Sequence, residues 1–393
     1  MKILEEEGKI VIYPTGRINT DNAAVFEKEA TEAISGHPGM EPVIDAAGLE
    51  YISSAGLRAL MRIRKSEGAL TVRNVSSELY ETFDITGFTS LLNVQKALRF
   101  ISVEGLEQIG AGAHSAVYRL DEESILKVVK DMTPDAIRAE MQVAKQVFVH
   151  GIPTAISYDM VRTEEGYGEV FEMVRADTLP AVIMADTEHI DKYLKEFVDL
   201  YHAVHEVEIG EGELESVRDH YLDAEKEVAG YLTEEEHLLL RKFFLTMPEK
   251  HNFVHGDLHM NNVMLQDGEL VLIDMGEAGW GSPLLDYAQT AQAYNGVLMF
   301  VPERCRQVLG LEIEQAAYIR DHFFPMYFGE NDPALDRKLE IVEALFLTRS
   351  FLIPFIQGWG YVQHNYDELI ERARKYFFPK VDHFCEIIRA EFQ

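Results

Sequence analysis

The chain has 393 residues with 36 basic and 67 acidic side chains, giving a formal net charge of −31. A charge of this sign repels nucleic acid and favours a cationic small molecule as a guest. The length predicts two or three domains. The two cysteines, Cys305 and Cys385, have no metal-ligand spacing, and so low a count is typical of proteins from a reducing cytoplasm.

Membrane insertion and export are not expected from the sequence. Residues 1–7 carry acids where a signal peptide needs an apolar core. The longest apolar run, residues 344–356, is interrupted by Arg349 and Pro354 and is too short to span a bilayer. We therefore expect a cytoplasmic protein that has no membrane partner.

Residues 1–100 alternate between predicted strands and helices, which indicates an α/β domain whose sheet is covered by helices. The strands are predicted at 9–13, 42–45 and 70–72, and the helices at 22–34, 54–64 and 77–84.

The segment from Val43 to Leu60, VIDAAGLEYISSAGLRAL, resembles the STAS family of anti-sigma-factor antagonists. In that family a serine just before the Gly-Leu helix is the regulatory phosphorylation site, and alignment on Gly56 makes Ser54 the candidate. Ser53 stands where the phosphorylated members usually have Asp. The resemblance implies a protein partner for this domain, while Ser54 is also expected to be the N-cap of its helix.

Two glycines in an apolar surrounding, Gly110 and Gly112, predict a hairpin whose tip lies over phosphates, since glycine lets the backbone approach a ligand closely. A strand follows at 124–129 and carries Lys127. Lys130 is three positions further on and would lie on the opposite face of the strand.

A helix is predicted over residues 134–150, with Glu140 at the edge of its apolar face. Because of this position, Glu140 can turn inward to Lys127. Residues 168–174 are then predicted to form a strand and a hinge, which include Glu172 and Val174.

The most informative stretch is residues 255–276, which read HGDLHMNNVMLQDGELVLIDMG. Asp257 lies in a tight polar segment where it could accept a proton from an attacking hydroxyl group. Asn262 offers a neutral oxygen to a hard metal ion, and Asp274 follows a short predicted strand. One amide and one carboxylate can hold Mg²⁺, because this ion takes its other ligands from water and substrate phosphates.

This H-x-D-x-x-x-x-N plus D-x-G arrangement resembles the kinase superfamily, and His-Gly-Asp resembles its aminoglycoside phosphotransferase and choline kinase branch. The resemblance implies an α+β bilobal phosphotransferase domain over residues 101–393, divided near residue 178, that uses ATP and Mg²⁺. Asp257 would be the base, and Asn262 and Asp274 the metal ligands.

The same resemblance assigns the remaining site residues. Lys127, paired with Glu140, would hold the phosphates; Ser115 takes the place of the third glycine of the kinase loop and could donate its hydroxyl to a phosphate. Backbone groups of Glu172 and Val174 would face the adenine. In the helical lobe the resemblance implies that Asp286 is a structural acid anchoring the loop around Asp257, and that His202 and His205 serve packing rather than metal binding.

Three functions remain open at this point. The first is a kinase for a small hydroxyl compound, and the second is a signalling kinase whose target is a protein serine such as Ser54. The third is a nucleotide-sensing module that recruits a partner through the first domain. The complete set of predicted catalytic residues favours an enzyme.

Overall fold

The computed structural model describes residues 1–6, 8–111, 115–129, 132–210, 212–356 and 366–393. The chain divides into two compact units, residues 1–102 with 160–164, and residues 103–159 with 165–393. None of the helices in these described ranges is both long and apolar enough to cross a membrane.

The first unit contains, in chain order, β1 (Lys2–Glu6), β2 (Lys9–Tyr13), β3 (Gly16–Ile18), α1 (Ala23–Ser35), β4 (Glu41–Asp45), β5 (Leu49–Ile52), α2 (Ser54–Glu67), β6 (Thr71–Val75), α3 (Ser77–Ile85), β7 (Asn93–Lys96) and β8 (Arg99–Phe100). Its main sheet has the order β1-β2-β4-β6-β7. The β1–β2 pair is antiparallel, and the pairs that follow are parallel.

The core of this unit lies between the sheet and its helices, as the alternating pattern predicts. Ile10 and Ile12 of β2, Ile44 of β4 and Leu60 of α2 are at most 1% exposed and belong to one cluster. Strands with almost no exposed side chain are typical of sheets in which parallel neighbours are joined by helices.

The second unit begins with β9 (Gln108–Ala111), β10 (Ser115–Arg119), β11 (Ser124–Val129), α4 (Pro134–Val149) and β13 (Gly166–Glu172). Strand β12 (Ser157–Thr163) comes between α4 and β13 in the chain, and its residues 160–163 belong to the first unit. Strands β13, β11, β10 and β9 lie side by side in this order, and each pair is antiparallel. Helix α4 begins at Pro134, where Thr133 caps it by accepting from the Ala136 N–H.

The rest of the second unit is mainly helical and continues with β14 (Asp177–Thr178), α5 (Leu179–Ala185), α6 (Ile190–His205), α7 (Val217–Val228), α8 (Glu234–Thr246), β15 (Asn252–Val254), β16 (Val263–Gln266), β17 (Glu269–Leu272), β18 (Gly279–Gly281), α9 (Leu284–Ala291), a π-helix (Gln292–Gly296), α10 (Val297–Phe300), α11 (Cys305–Leu309), α12 (Ile313–Phe328), α13 (Leu335–Ile356), α14 (Tyr366–Tyr376) and α15 (Val381–Glu391). Strands β16 and β17 form a hairpin that turns at Asp267 and Gly268, both with positive φ. An Asp-Gly pair is the usual sequence for such a turn. The hairpin brings Asn262, just before β16, close to the residues that follow β17.

Candidate active site

Backbone packing fixes the loop between β15 and β16, residues 255–262. Gly256 has φ +79°, and a Cβ at this position would lie 2.3 Å from the carbonyl oxygen of Glu277. Only glycine fits such a place, because any other side chain would meet rigid backbone. The loop and the segment after Asp274 therefore touch at one defined point.

Asp286 of α9 anchors the same loop. Its two carboxylate oxygens accept the backbone N–H groups of His255 (3.0 Å) and Gly256 (2.8 Å), and the Asp286 side chain is fully buried. His205 Nε2 lies 3.0 Å from the same carboxylate, and the ring of His202 stacks on Tyr327. Asp286 thus makes the contacts expected of a structural acid. His202 packs by stacking, and His205 both packs and hydrogen-bonds.

The carboxylate of Asp257 is held by two side-chain amides. Asn262 Nδ2 donates to Oδ2 (3.0 Å) and to the Asp257 carbonyl oxygen (2.8 Å), and Gln289 Nε2 donates to Oδ1. Burial alone raises the pKa of Asp257, but His259 and the charge of Arg349 more than offset it and bring that pKa to about 2. The group is therefore a carboxylate at neutral pH and can accept a hydrogen bond from a hydroxyl group.

Lys127 lies between two acids. Its Nζ is 2.9 Å from Glu140 Oε1 and 3.0 Å from Asp274 Oδ1, so the contact expected between β11 and α4 is present. Burial lowers the pKa of Lys127, but the opposite charges of Asp274 and Glu140 outweigh it and the pKa is raised. The ammonium is thus fully charged and placed where phosphates could replace one of its carboxylate partners.

Asp274 itself has a left-handed backbone, with φ +64°, which is uncommon for a residue other than glycine. Such conformations cluster at functional sites. The N–H of the preceding Ile273 donates to the Asn262 carbonyl (3.0 Å), so the two predicted metal-binding residues belong to hydrogen-bonded neighbouring segments.

The donor set can accept Mg²⁺. The side-chain hydrogen bonds of Asn262 use its nitrogen, which leaves the amide oxygen for a cation, and the carboxylate of Asp274 is half-exposed. Among the described residues no group of three or more His, Cys, Asp or Glu could hold a metal. A cation at Asn262 and Asp274 would therefore need oxygens from its substrate, as Mg²⁺ commonly does.

The predicted phosphate loop is described only in part. Strands β9 and β10 form the expected hairpin, with Gly110 opposite Val117 and Ser115 at the start of the returning strand. Gly112 lies outside the described residues, as does Lys130, the alternative to Lys127.

At the predicted adenine-facing segment some backbone groups are already used. The N–H of Glu172 donates to Ile156 (2.9 Å), and the carbonyl of Val174 accepts from Ala176 (3.0 Å). These two groups are therefore not available to adenine in this structure.

Sequence reasoning missed three buried polar residues of the site. Gln289 lies one helical turn beyond Asp286, a spacing that could have suggested contact with the same loop. Arg349 interrupts the apolar run of α13, which is itself a sign of a buried charge that needs partners. Glu169 could not have been found, because its face of β13 depends on the register with β11.

Arg349 is the largest of the fully buried charged side chains in the described ranges. Its Nη1 donates to Tyr221 Oη (2.6 Å), and Nη2 lies 3.9 Å from Glu277 Oε2. Its charge also acts on Asp257. The guanidinium thus offsets the negative charge of Asp257, which follows Gly256 in the chain, and of Glu277, whose backbone packs against Gly256.

Glu169 is 3% exposed and lies opposite Lys127 in the register of β13 and β11. Its Oε1 has no hydrogen-bond partner among the described residues. Burial is the main reason why the pKa of Glu169 rises from 4.5 to about 7, with Glu140 and Asp274 adding to the rise and Ser157 and Lys127 opposing it. The site therefore contains an acid whose charge depends on pH near neutrality.

This pKa predicts how the substitution Glu169→Gln changes stability. A carboxyl whose pKa is raised by folding stabilises the native state below pH 4.5 and loses that contribution as the pH rises through about 7. At pH 8.5 we expect Glu169→Gln to raise the free energy of unfolding by about 2–3 kcal/mol, and at pH 4.5 to change it little. Denaturant unfolding at both pH values measures this, with the exposed Glu188→Gln as control; equal effects of Glu169→Gln at both pH values would contradict it.

In the first unit the candidate Ser54 is exposed and is the first residue of α2. The expectation that Ser54 caps this helix is wrong. The N-cap is Ser53, which has an extended backbone (φ −85°, ψ 170°) and accepts from the Gly56 N–H at 3.3 Å. The hydroxyl of Ser54 is therefore not used for capping.

Comparison with known proteins identifies two families in the chain. Residues 105–317 match the family described as the phosphotransferase enzyme family, APH, and residues 4–93 match the STAS domain family that includes Mlab. The first match covers more than half of the chain, and the chain therefore belongs to the phosphotransferase enzyme family. The predictions of fold class, of both family resemblances and of a phosphotransferase acting on an alcohol group are confirmed at this level.

Individual relatives were found for both halves. The chain is 32% identical over 93 residues to BtrV of Bordetella bronchiseptica, named as an anti-sigma factor antagonist; the match covers 22% of this chain and 78% of BtrV. The ADP-bound aminoglycoside phosphotransferase APH(2'')-Ib aligns with a TM-score of 0.44 at 15% identity, over 72% of this chain and 94% of that one. A choline/ethanolamine kinase family protein from Mesorhizobium loti gives 0.46 at 16% identity, over 72% and 92%.

Proposed function

We propose that this protein transfers the γ-phosphoryl group of ATP, with Mg²⁺, to a hydroxyl group of a small molecule. In this proposal the phosphotransferase domain extends over residues 101–393, and the STAS domain, residues 1–100, regulates it or binds a protein partner. The observation that carries the proposal is that Lys127 forms ion pairs with both Glu140 and Asp274 in the same unit that contains an ionised Asp257.

Each residue then has a defined task. The acceptor oxygen forms a bond to the γ-phosphorus while the bond from that phosphorus to the bridging oxygen of ADP breaks. Asp257 accepts the hydrogen bond of the acceptor hydroxyl and takes its proton as the new bond forms. Lys127 would exchange its bond to Asp274 for the nucleotide phosphates while keeping Glu140, which fixes its position.

A bound Mg²⁺ would neutralise phosphate charge and leave Lys127 to orient the nucleotide. Asn262 and Asp274 would hold it. Asp274 contacts Lys127 through Oδ1 in this structure, so in this proposal its carboxylate would turn from the ammonium toward the metal as the nucleotide binds.

A phosphoryl-transfer screen tests the proposal. The protein and Mg-ATP are incubated with hydroxyl compounds sorted into cationic, neutral and anionic sets, and products are found by the mass of an added phosphate. The net charge of −31 supports a cationic acceptor, which is expected in the first set. Product in none of the sets, from protein that binds Mg-ATP, would overturn the proposal of a small acceptor.

The phosphate clamp gives a prediction of its own. Lys127→Ala should weaken Mg-ATP binding by about 10- to 100-fold, because a charge-assisted contact to the phosphates is lost. Isothermal titration with Mg-ATP measures it. Lys145, an exposed lysine of α4, supplies the control, and Lys145→Ala should leave the Kd within two-fold; equal losses in both variants would show that Lys127 is not the phosphate ligand.

A protein serine is the second candidate acceptor. Ser54 is exposed, free of the capping role, and lies at the N-terminus of α2, where backbone N–H groups favour an added phosphate. The match to a protein named as an anti-sigma factor antagonist supports this alternative. Phosphopeptide mapping after incubation with Mg-ATP decides it. Label on the peptide containing Ser54 that is absent from Asp257→Asn would support this alternative, and a peptide without label from enzyme active on another acceptor would end it.

A further inference from the structure

Helix α9 contacts the loop of Asp257 residue by residue. Asp286 accepts from His255 and Gly256, Gln289 donates to the carboxylate of Asp257, and Thr290 donates to the carbonyl of Leu258 at 2.8 Å. Positions i, i+3 and i+4 lie on one face of a helix. The helix thus presents one polar side chain after another to consecutive residues of the loop.

We propose that Gln289 is a positioning residue, which holds the carboxylate of Asp257 in the orientation needed to receive the acceptor's proton. The inference rests on the proposed function, in which Asp257 is the base. It adds a residue that neither the motif nor the family match identifies.

The contacts of the carboxylate explain why Gln289 is needed. Oδ2 accepts from Asn262, a residue that would also hold a metal, whereas His259 Nε2 is 3.6 Å from Oδ1 and too far for a good hydrogen bond. Gln289, on helix α9, is the amide that donates to Oδ1 of Asp257. Each carboxylate oxygen can accept more than one hydrogen bond, so the contact leaves room for the acceptor hydroxyl.

The other end of Gln289 argues against a purely structural role. The side chain is 6% exposed, and its Oε1 has no hydrogen-bond partner among the described residues. A buried amide oxygen without a partner is unfavourable, and an apolar side chain of similar size would avoid that cost. An amide is favoured at this position because its Nε2 can donate to the ionised carboxylate of Asp257.

The substitution Gln289→Met tests the proposal. Single-turnover transfer from Mg-[γ-³²P]ATP to the hydroxyl compound found by the screen should slow by about 10- to 100-fold, since small misplacement of a reacting group has effects of this size. The KM for Mg-ATP should stay within two-fold, and the thermal unfolding temperature should not fall.

The control is Gln292→Met, one turn along the same helical stretch. The Gln292 side chain accepts from Ser350 (2.7 Å) and does not contact Asp257. This variant should lose stability and keep its rate of transfer within two-fold, which is the opposite pattern.

A double-mutant cycle separates positioning from general disturbance of the fold. If Gln289 acts through the carboxylate, Gln289→Met should cause no further loss in an Asp257→Asn background, measured with enzyme in excess. A full additional loss there, or an unchanged rate in the single variant, would overturn the inference. Failure of the proposed function would look different, because the wild-type protein itself would then transfer no phosphate to any compound.

Discussion

Asp257→Asn should lower the rate of phosphoryl transfer by about 10³-fold, because the carboxylate that receives the acceptor's proton is replaced by an amide that cannot. Binding of Mg-ATP should remain nearly intact. Asn262 and Gln289 both direct amide nitrogens at Asp257, and an asparagine can satisfy only one of them with its oxygen. The Oε1 of Gln289 has no partner among the residues that the structure describes, so this side chain can turn over to accept from the new amide, and the loop should keep its fold.

The matched control is Asp267→Asn at the tip of the β16–β17 hairpin. Asp267 is exposed and has φ +51°, a conformation that asparagine also adopts readily. This variant carries the same chemical change only a few residues from the site and should transfer phosphate at the wild-type rate. Transfer at the full rate by Asp257→Asn would remove Asp257 from the role of base.

Asp286→Ala is expected to have the largest effect on stability, a loss of about 3–5 kcal/mol in the free energy of unfolding. The fully buried carboxylate accepts from two backbone N–H groups and from His205, and its removal leaves these donors without an acceptor in the interior. Activity should fall as well, because the same bonds place the loop that carries Asp257. Denaturant unfolding measures the first effect and transfer at a temperature where the variant is folded measures the second.

Asp336→Ala provides the comparison for that measurement. Asp336 is an exposed acid in the first turn of α13, where its charge interacts favourably with the helix dipole. Its loss should cost less than about 1 kcal/mol. Similar stability losses in the two variants would show that the buried network around Asp286 is not what holds the loop.

Local sequence predicts most helices and strands of the fold. The features that it does not predict, such as the exact cap of a helix, depend on tertiary contacts. The helix predicted over residues 54–64 extends to Glu67 and stops at Gly68, whose φ of +83° ends it. Its cap was placed one residue too late, because the choice between Ser53 and Ser54 depends on which of them leaves the preceding strand with an extended backbone.

The candidate site shows the same division between local and long-range information. Asp257 and Asn262 precede the β16–β17 hairpin and Asp274 follows it, so their spacing in the chain already predicts that they lie close together. Lys127 lies on β11 and Glu140 on α4, the next element in the chain, so their contact could also be predicted from local sequence. Gln289 and Arg349 come from α9 and α13, and Glu169 comes from β13. The packing of the two helices and the register of β13 with β11 bring these residues to the site.

The fate of the γ-phosphate in a single turnover tests the central claim most directly. Wild-type protein in excess over Mg-[γ-³²P]ATP is mixed with the sorted hydroxyl compounds, quenched, and separated into nucleotide, small-molecule and protein fractions. The proposed function predicts label in one small hydroxyl compound, dependent on Mg²⁺ and lost in Asp257→Asn. Label that stays in ATP, or that enters only the protein at Ser54, would contradict it.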